Sequence, residues 1–135
     1  MKLAGLVVWY NPSKKDRENI KSYLPSLDRL YIYDNSAKKN DFPKSIKIKY
    51  IFEGENKGIA YALNKGAELA IKEKYKWLLT MDQDTIFEYE KLNKLKTYIE
   101  KSENNIGIIC PWLNTKLKDK KTKFNNEDFS FIEIN

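Results

Sequence analysis

At 135 residues, with 41% apolar and 33% charged residues, the chain has the size and composition of one folded globular domain and not of a disordered segment. No run approaches the ~20 apolar residues needed to cross a bilayer. The single Cys110 can make no intrachain disulfide, and the absence of His removes a zinc-type ligand set, so the expectation is a cytoplasmic protein whose metal is held by oxygen. The net charge of +6 invites an anionic partner, but Arg17 and Arg29 are the only arginines, which argues against a nucleic-acid reader.

Residues 3–10 read as a first strand running into the turn Asn11-Pro12. Ser13 and Asp16 have the spacing of a capping box, so a helix starts there, with Ile20, Leu24 and Leu27 as its apolar stripe and an end near Pro25. Residues 30–33 form a second strand that stops at the polar turn Asp34-Asn35-Ser36. Residues 38–44 are loop by composition, and residues 46–50 alternate apolar with basic as a half-exposed edge strand does.

After a turn at residues 55–58 the period changes. Ile59, Ala62, Leu63, Gly66, Ala67 and Ala70 recur at helical steps and make one small apolar face. Glycine inside a helix costs about 1 kcal/mol relative to alanine, so Gly66 implies close packing on a sheet.

The apolar run 77–81 reads as a strand buried on both faces, and it breaks abruptly into Asp82-Gln83-Asp84. Residues 88–100 are an amphipathic helix closed by Asn104-Asn105. Residues 106–110 are a further buried strand stopped by Pro111, and residues 129–134 alternate like an edge strand. The lysine-rich run 116–123 between them is a solvated loop or a weak attraction to an anionic membrane surface.

Strands separated by helices in this order predict an α/β fold with an open, mostly parallel, doubly wound sheet, in one domain spanning 1–135. Its strand-ending turns then converge at the carboxyl edge, where such sheets bind ligands. Asp82 and Asp84 repel one another unless a hard cation or a donor group sits between them. All-oxygen ligation favours Mg2+ or Mn2+, and such a cation suits a nucleotide-diphosphate site. No glycine-rich phosphate loop of either common pattern is present.

Four segments, taken in order, resemble the N-terminal motifs of family 2 glycosyltransferases of the GT-A fold, a Rossmann-like nucleotide-binding half. They are Val7-Val8-Trp9-Tyr10-Asn11-Pro12, Tyr33-Asp34-Asn35-Ser36, the run from Glu55 to Gly66, and Leu79-Thr80-Met81-Asp82-Gln83-Asp84-Thr85. The Asp-Gln-Asp form and the run beginning Asn56-Lys57-Gly58 look most like bacterial rhamnosyltransferases. The resemblance implies that Tyr10 and Asn11 border the nucleotide and that Asp34 hydrogen-bonds a pyrimidine base. It places Asn56, Lys57 and Gly58 in the same pocket and Gln83 among the nucleotide-sugar contacts. Asp84 then binds the metal, and Asp82 faces the sugar or ribose beside it. Trp9 departs from the family pattern, where a small hydroxyl residue is usual.

The implied reaction is inverting transfer of a sugar to a saccharide or lipid-linked acceptor, with dTDP-rhamnose the favoured donor and a UDP-sugar the alternative. Polysaccharide biosynthesis at the inner face of the membrane fits such acceptors, and no nucleic acid is involved. The family's general base lies well beyond the Asp-x-Asp, and Glu127-Asp128 reads as surface. The chain therefore reads as a donor-binding part truncated at its C-terminus, with its base beyond Asn135 and little activity alone. A haloacid-dehalogenase-like phosphatase is one alternative, although Ile86 stands where that pattern wants Thr or Val. A non-catalytic α/β interaction domain is the other.

Overall fold

Strand β1 (Leu3–Trp9) is buried along its whole length, as an apolar stretch without alternation should be when it lies at the centre of a parallel sheet. The computed structural model describes residues 1–102, 106–111 and 129–133. They fall into two compact units, Met1–Asn93 and Lys94–Asn135. The basic run 116–123, Glu127-Asp128 and Asn104-Asn105 lie outside the described residues.

In the first unit, β1 is followed by helix α1 (Lys14–Tyr23), a 3-10 turn (Leu24–Ser26), β2 (Arg29–Asp34) and β3 (Ile48–Phe52). Helix α2 (Ile59–Lys72) and strand β4 (Trp77–Met81) come next. The four strands form one parallel sheet in the order β3-β2-β1-β4. This is the open α/β arrangement expected from the alternation of strands and helices.

Helix α1 starts where its capping box predicts. The Ser13 hydroxyl accepts from the Asp16 N–H at 3.1 Å, and the Asp16 carboxylate accepts from the Ser13 N–H at 2.8 Å. Helix α2 covers one sheet face, where Ala62 and Ala70 belong to a cluster with Ala4, Leu6, Val8, Tyr31 and Tyr33. The packing reason for Gly66 is visible: a Cβ there would lie 2.3 Å from Cδ2 of the fully buried Leu6.

Two expectations need correction. Strand β4 is not buried on both faces; residues 77–79 are half-buried and Thr80 is exposed. Among the described strands it ends the order, with β1 as its sheet neighbour, and an apolar run alone does not distinguish a central strand from an edge strand. The edge strand read at residues 46–50 is β3, displaced by two residues. A turn in which Ile48 N–H donates to the Ser45 carbonyl at 3.1 Å precedes it, and Ile46 is left almost fully exposed.

Helix α3 (Tyr89–Lys101) runs from the first unit into the second. In the second unit β5 (Ile106–Pro111) and β6 (Phe129–Glu133) pair antiparallel. Residues 106–110 therefore pair with β6 and not within the parallel sheet. A strand in a two-stranded ribbon has few sheet neighbours to cover it, and Ile108 is exposed.

Candidate functional site

The order β3-β2-β1-β4 reverses direction between β1 and β4: the chain steps outward from β1 to β2 and β3, then returns to add β4 on the other side. Open sheets of this kind bind ligands in the crevice beyond the carboxyl ends of the strands at that reversal. The loops that follow β1, β2 and β4 meet there.

The loop after β1 is tied to both of its neighbours. The Tyr10 N–H donates to Oε1 of Gln83, in the β4 loop, at 2.9 Å. The Asn11 N–H donates to Oγ of Ser36, in the β2 loop, at 2.7 Å. Asn11 has φ 47°, in the left-handed region that Asn tolerates better than most residues. The Tyr10 ring is exposed.

Asp34 closes β2 and is fully buried. Its Oδ1 accepts from the Ser36 N–H at 2.9 Å, and its Oδ2 accepts from Nδ2 of Asn40 at 2.8 Å and from the Tyr50 hydroxyl at 2.5 Å. Burial by itself would raise this carboxyl, but the hydrogen bonds from Ser36, Tyr50 and Asn40 outweigh it and hold Asp34 below the ordinary carboxylate value. The Tyr50 hydroxyl is pushed up to about 12, first by burial and then by its bond to Asp34. Phe42 stacks on the Tyr50 ring at 4.6 Å, and Trp9 meets it edge-on at 6.5 Å.

Asn35, next along, holds the segment before α2. Its Nδ2 donates to the Gly58 carbonyl at 3.3 Å, and its Oδ1 accepts from the Lys57 N–H at 3.2 Å. Asn56 closes its own turn by accepting from the Gly58 N–H at 2.9 Å, and Gly58 has φ 83°, a conformation that favours glycine. The Lys57 ammonium is paired with Glu53 at 2.5 Å and Glu55 at 3.4 Å, and lies 5.1 Å from the centre of the Tyr61 ring. Two carboxylates already face that cation.

Asp82 and Asp84 are both exposed, on a turn closed by the Thr85 N–H donating to the Asp82 carbonyl at 3.1 Å. Among the described residues no third His, Cys, Asp or Glu joins them in a metal-sized group. That donor set fits Mg2+ or Mn2+ in one particular way: these ions are commonly held by one or two carboxylates, with phosphate oxygens and water completing the shell. A structural zinc site would need four protein ligands.

Asn35, Asn40 and Tyr50 thus shape the site, as does Asn19, whose Nδ2 donates to the Asp84 carbonyl at 3.3 Å, and none of them stood out singly in the sequence. Asn35 lay inside a recognised motif. The others act through tertiary approach, which no local pattern reports.

The family model for Glycosyl transferase family 2 matches residues 18–132. The chain belongs to glycosyl transferase family 2. This glycosyltransferase therefore acts on a nucleotide-sugar donor and an acceptor, and the phosphatase alternative falls away. The matched region contains Asp34, Asn56, Lys57, Gly58, Asp82, Gln83 and Asp84, while Tyr10 and Asn11 precede it. Comparison with curated proteins and with solved structures finds no match. Among the described residues of this glycosyltransferase, no helix is long and apolar enough to cross a membrane.

Proposed function

We propose that the crevice beyond β1, β2 and β4 binds thymidine diphosphate rhamnose, and that this glycosyltransferase transfers the sugar with inversion to a saccharide or lipid-linked acceptor. What carries the reading is the joining of the three loops: Tyr10 to Gln83 and Asn11 to Ser36 hold at one place the residues of three separate motifs. The thymidine preference rests on the rhamnosyltransferase look of the Asp-Gln-Asp and Asn56-Lys57-Gly58 motifs.

In this reading Asp84 and Asp82 hold Mn2+ or Mg2+, and the cation supplies charge neutralisation for the departing diphosphate. The exposed Tyr10 ring and the Asn11 turn border the nucleoside. Asp34 accepts from the imide N–H of the base, on a carboxylate that Ser36, Asn40 and Tyr50 orient by their own hydrogen bonds. Asn56 and Gly58 line the pocket through a turn held by Asn35, and Lys57 lies beside them with its charge shared by Glu53 and Glu55. The acceptor hydroxyl oxygen forms the new bond at the anomeric carbon as the bond to the diphosphate breaks, and its proton passes to a general base. The family resemblance puts that base well beyond the Asp-x-Asp, and it is assigned to none of the described residues.

A thermal-shift panel of thymidine, uridine and guanosine diphosphates with Mn2+ tests the donor class. A ligand at about a hundred times its dissociation constant adds ~2.7 kcal/mol of stability. The largest shift is expected for thymidine diphosphate. A larger shift for uridine diphosphate would replace the donor, and equal indifference to all three would contradict the reading.

A further inference from the structure

Helix α1 supplies none of the ligand contacts proposed above, yet two of its side chains are engaged with the acidic loop. Asn19, almost completely buried, donates from Nδ2 to the main-chain carbonyl of Asp84 at 3.3 Å. Ser22 lies three residues on, on the same helix face. Its hydroxyl accepts from the Phe87 N–H at 3.1 Å and donates to the Asn19 carbonyl at 2.7 Å. With Gln83 fastened to Tyr10, the segment from Gln83 to Phe87 is held at three points while the side chains of Asp82 and Asp84 stay exposed.

We infer that Asn19 and Ser22 are positioning residues for the cation-binding turn, an inference that rests on the proposal that Asp84 holds the metal. Two exposed carboxylates one residue apart repel each other, and a free turn would relax to separate them. Water is within reach of so exposed a turn and can serve its peptide groups, so satisfying those groups does not by itself require the bonds from α1. What the bonds fix is position. A turn already held in place loses less freedom when the cation and diphosphate arrive, which favours binding. Both bonds span 65 residues of sequence, so α1 supports the turn from outside its own segment.

The test is Mn2+ affinity, read from the paramagnetic resonance of free Mn2+ in the presence of saturating thymidine diphosphate, alongside metal-free binding of thymidine. Asn19→Leu keeps the volume and removes the donor; Ser22→Ala removes the hydroxyl, and Ser22→Thr retains it. Loss of an outer support commonly weakens metal binding by ~10-fold or more. That loss is expected for Asn19→Leu and Ser22→Ala, with Ser22→Thr close to the parent and metal-free thymidine affinity unchanged in all three. Unchanged Mn2+ affinity in both deletions, beside a loss in Asp84→Ala, would overturn the positioning role alone. A parallel fall in Mn2+ and thymidine affinities would also overturn it, since a loosened fold acts on both. If Asp84→Ala keeps the parent Mn2+ affinity, the metal assignment fails and this inference with it.

Discussion

The backbone N–H of Tyr10 donates to the side-chain oxygen of Gln83 at 2.9 Å, across the point where the strand order reverses. The middle residue of Asp-Gln-Asp is thus a strut between the β4 and β1 loops, and its side chain is already engaged before any ligand arrives. Because the Tyr10 N–H is exposed and water can replace the lost acceptor, Gln83→Ala should lower stability by less than ~1 kcal/mol. Its effect on binding should be larger. We expect thymidine diphosphate affinity in the presence of Mn2+ to fall roughly tenfold, equivalent to about 1.4 kcal/mol. Urea unfolding and equilibrium titration on the same preparation separate the two.

The Tyr50 hydroxyl and Asp34 make the second prediction. A hydrogen bond to a charged group contributes about 1.5–3 kcal/mol, so Tyr50→Phe should destabilise the fold by that order at neutral pH. The sign with pH follows from the depressed carboxyl. Asp34 adds stability above the ordinary Asp value of about 3.9, and that stability is lost as the pH falls through its lower folded value. The gap between parent and Tyr50→Phe should therefore narrow in acid. On the alkaline side Tyr50 favours folding below about 10, and its contribution declines as the pH rises towards about 12. Denaturant midpoints across the pH range check both limbs; a gap that widens in acid would contradict the assignment.

Gly66→Ala tests the contact between α2 and β1. In an exposed helix the change would stabilise by about 1 kcal/mol. Here the added methyl meets the fully buried Leu6 side chain, and overpacking of this kind typically costs about 1–3 kcal/mol. Net destabilisation in urea is the expected result. Pairing the change with Leu6→Val should recover part of it, because the crowded branch is shortened.

Much of this architecture was legible because it is local. The Ser13 and Asp16 capping box, the start of α2 at Ile59 and the close packing at Gly66 depend on spacing or on the properties of single residues, and each is found where the sequence puts it. Burial of residues 77–81 was misjudged for the opposite reason: sheet position is decided by pairing with β1, not by the run itself. The site divides the same way. Asp34, Asp82 and Asp84 declare themselves as acids at the ends of strands. Tyr50 looked like one more aromatic of an edge strand, and its bond to Asp34 depends on the pairing of Ile32 with Tyr50 and of Asp34 with Phe52. Asn19 sits in a polar helical stretch with nothing local to mark it, and meets the Asp84 carbonyl, 65 residues on, only in the folded chain.

A cation-dependent diphosphate site on the β4 turn is tested by equilibrium binding of thymidine diphosphate to the parent and to Asp84→Ala, each with Mn2+ and with chelator. The parent is expected to bind much more tightly with Mn2+ than with chelator, and Asp84→Ala to bind at the parent's chelator level under both conditions. Equal binding by parent and Asp84→Ala in Mn2+ would contradict it.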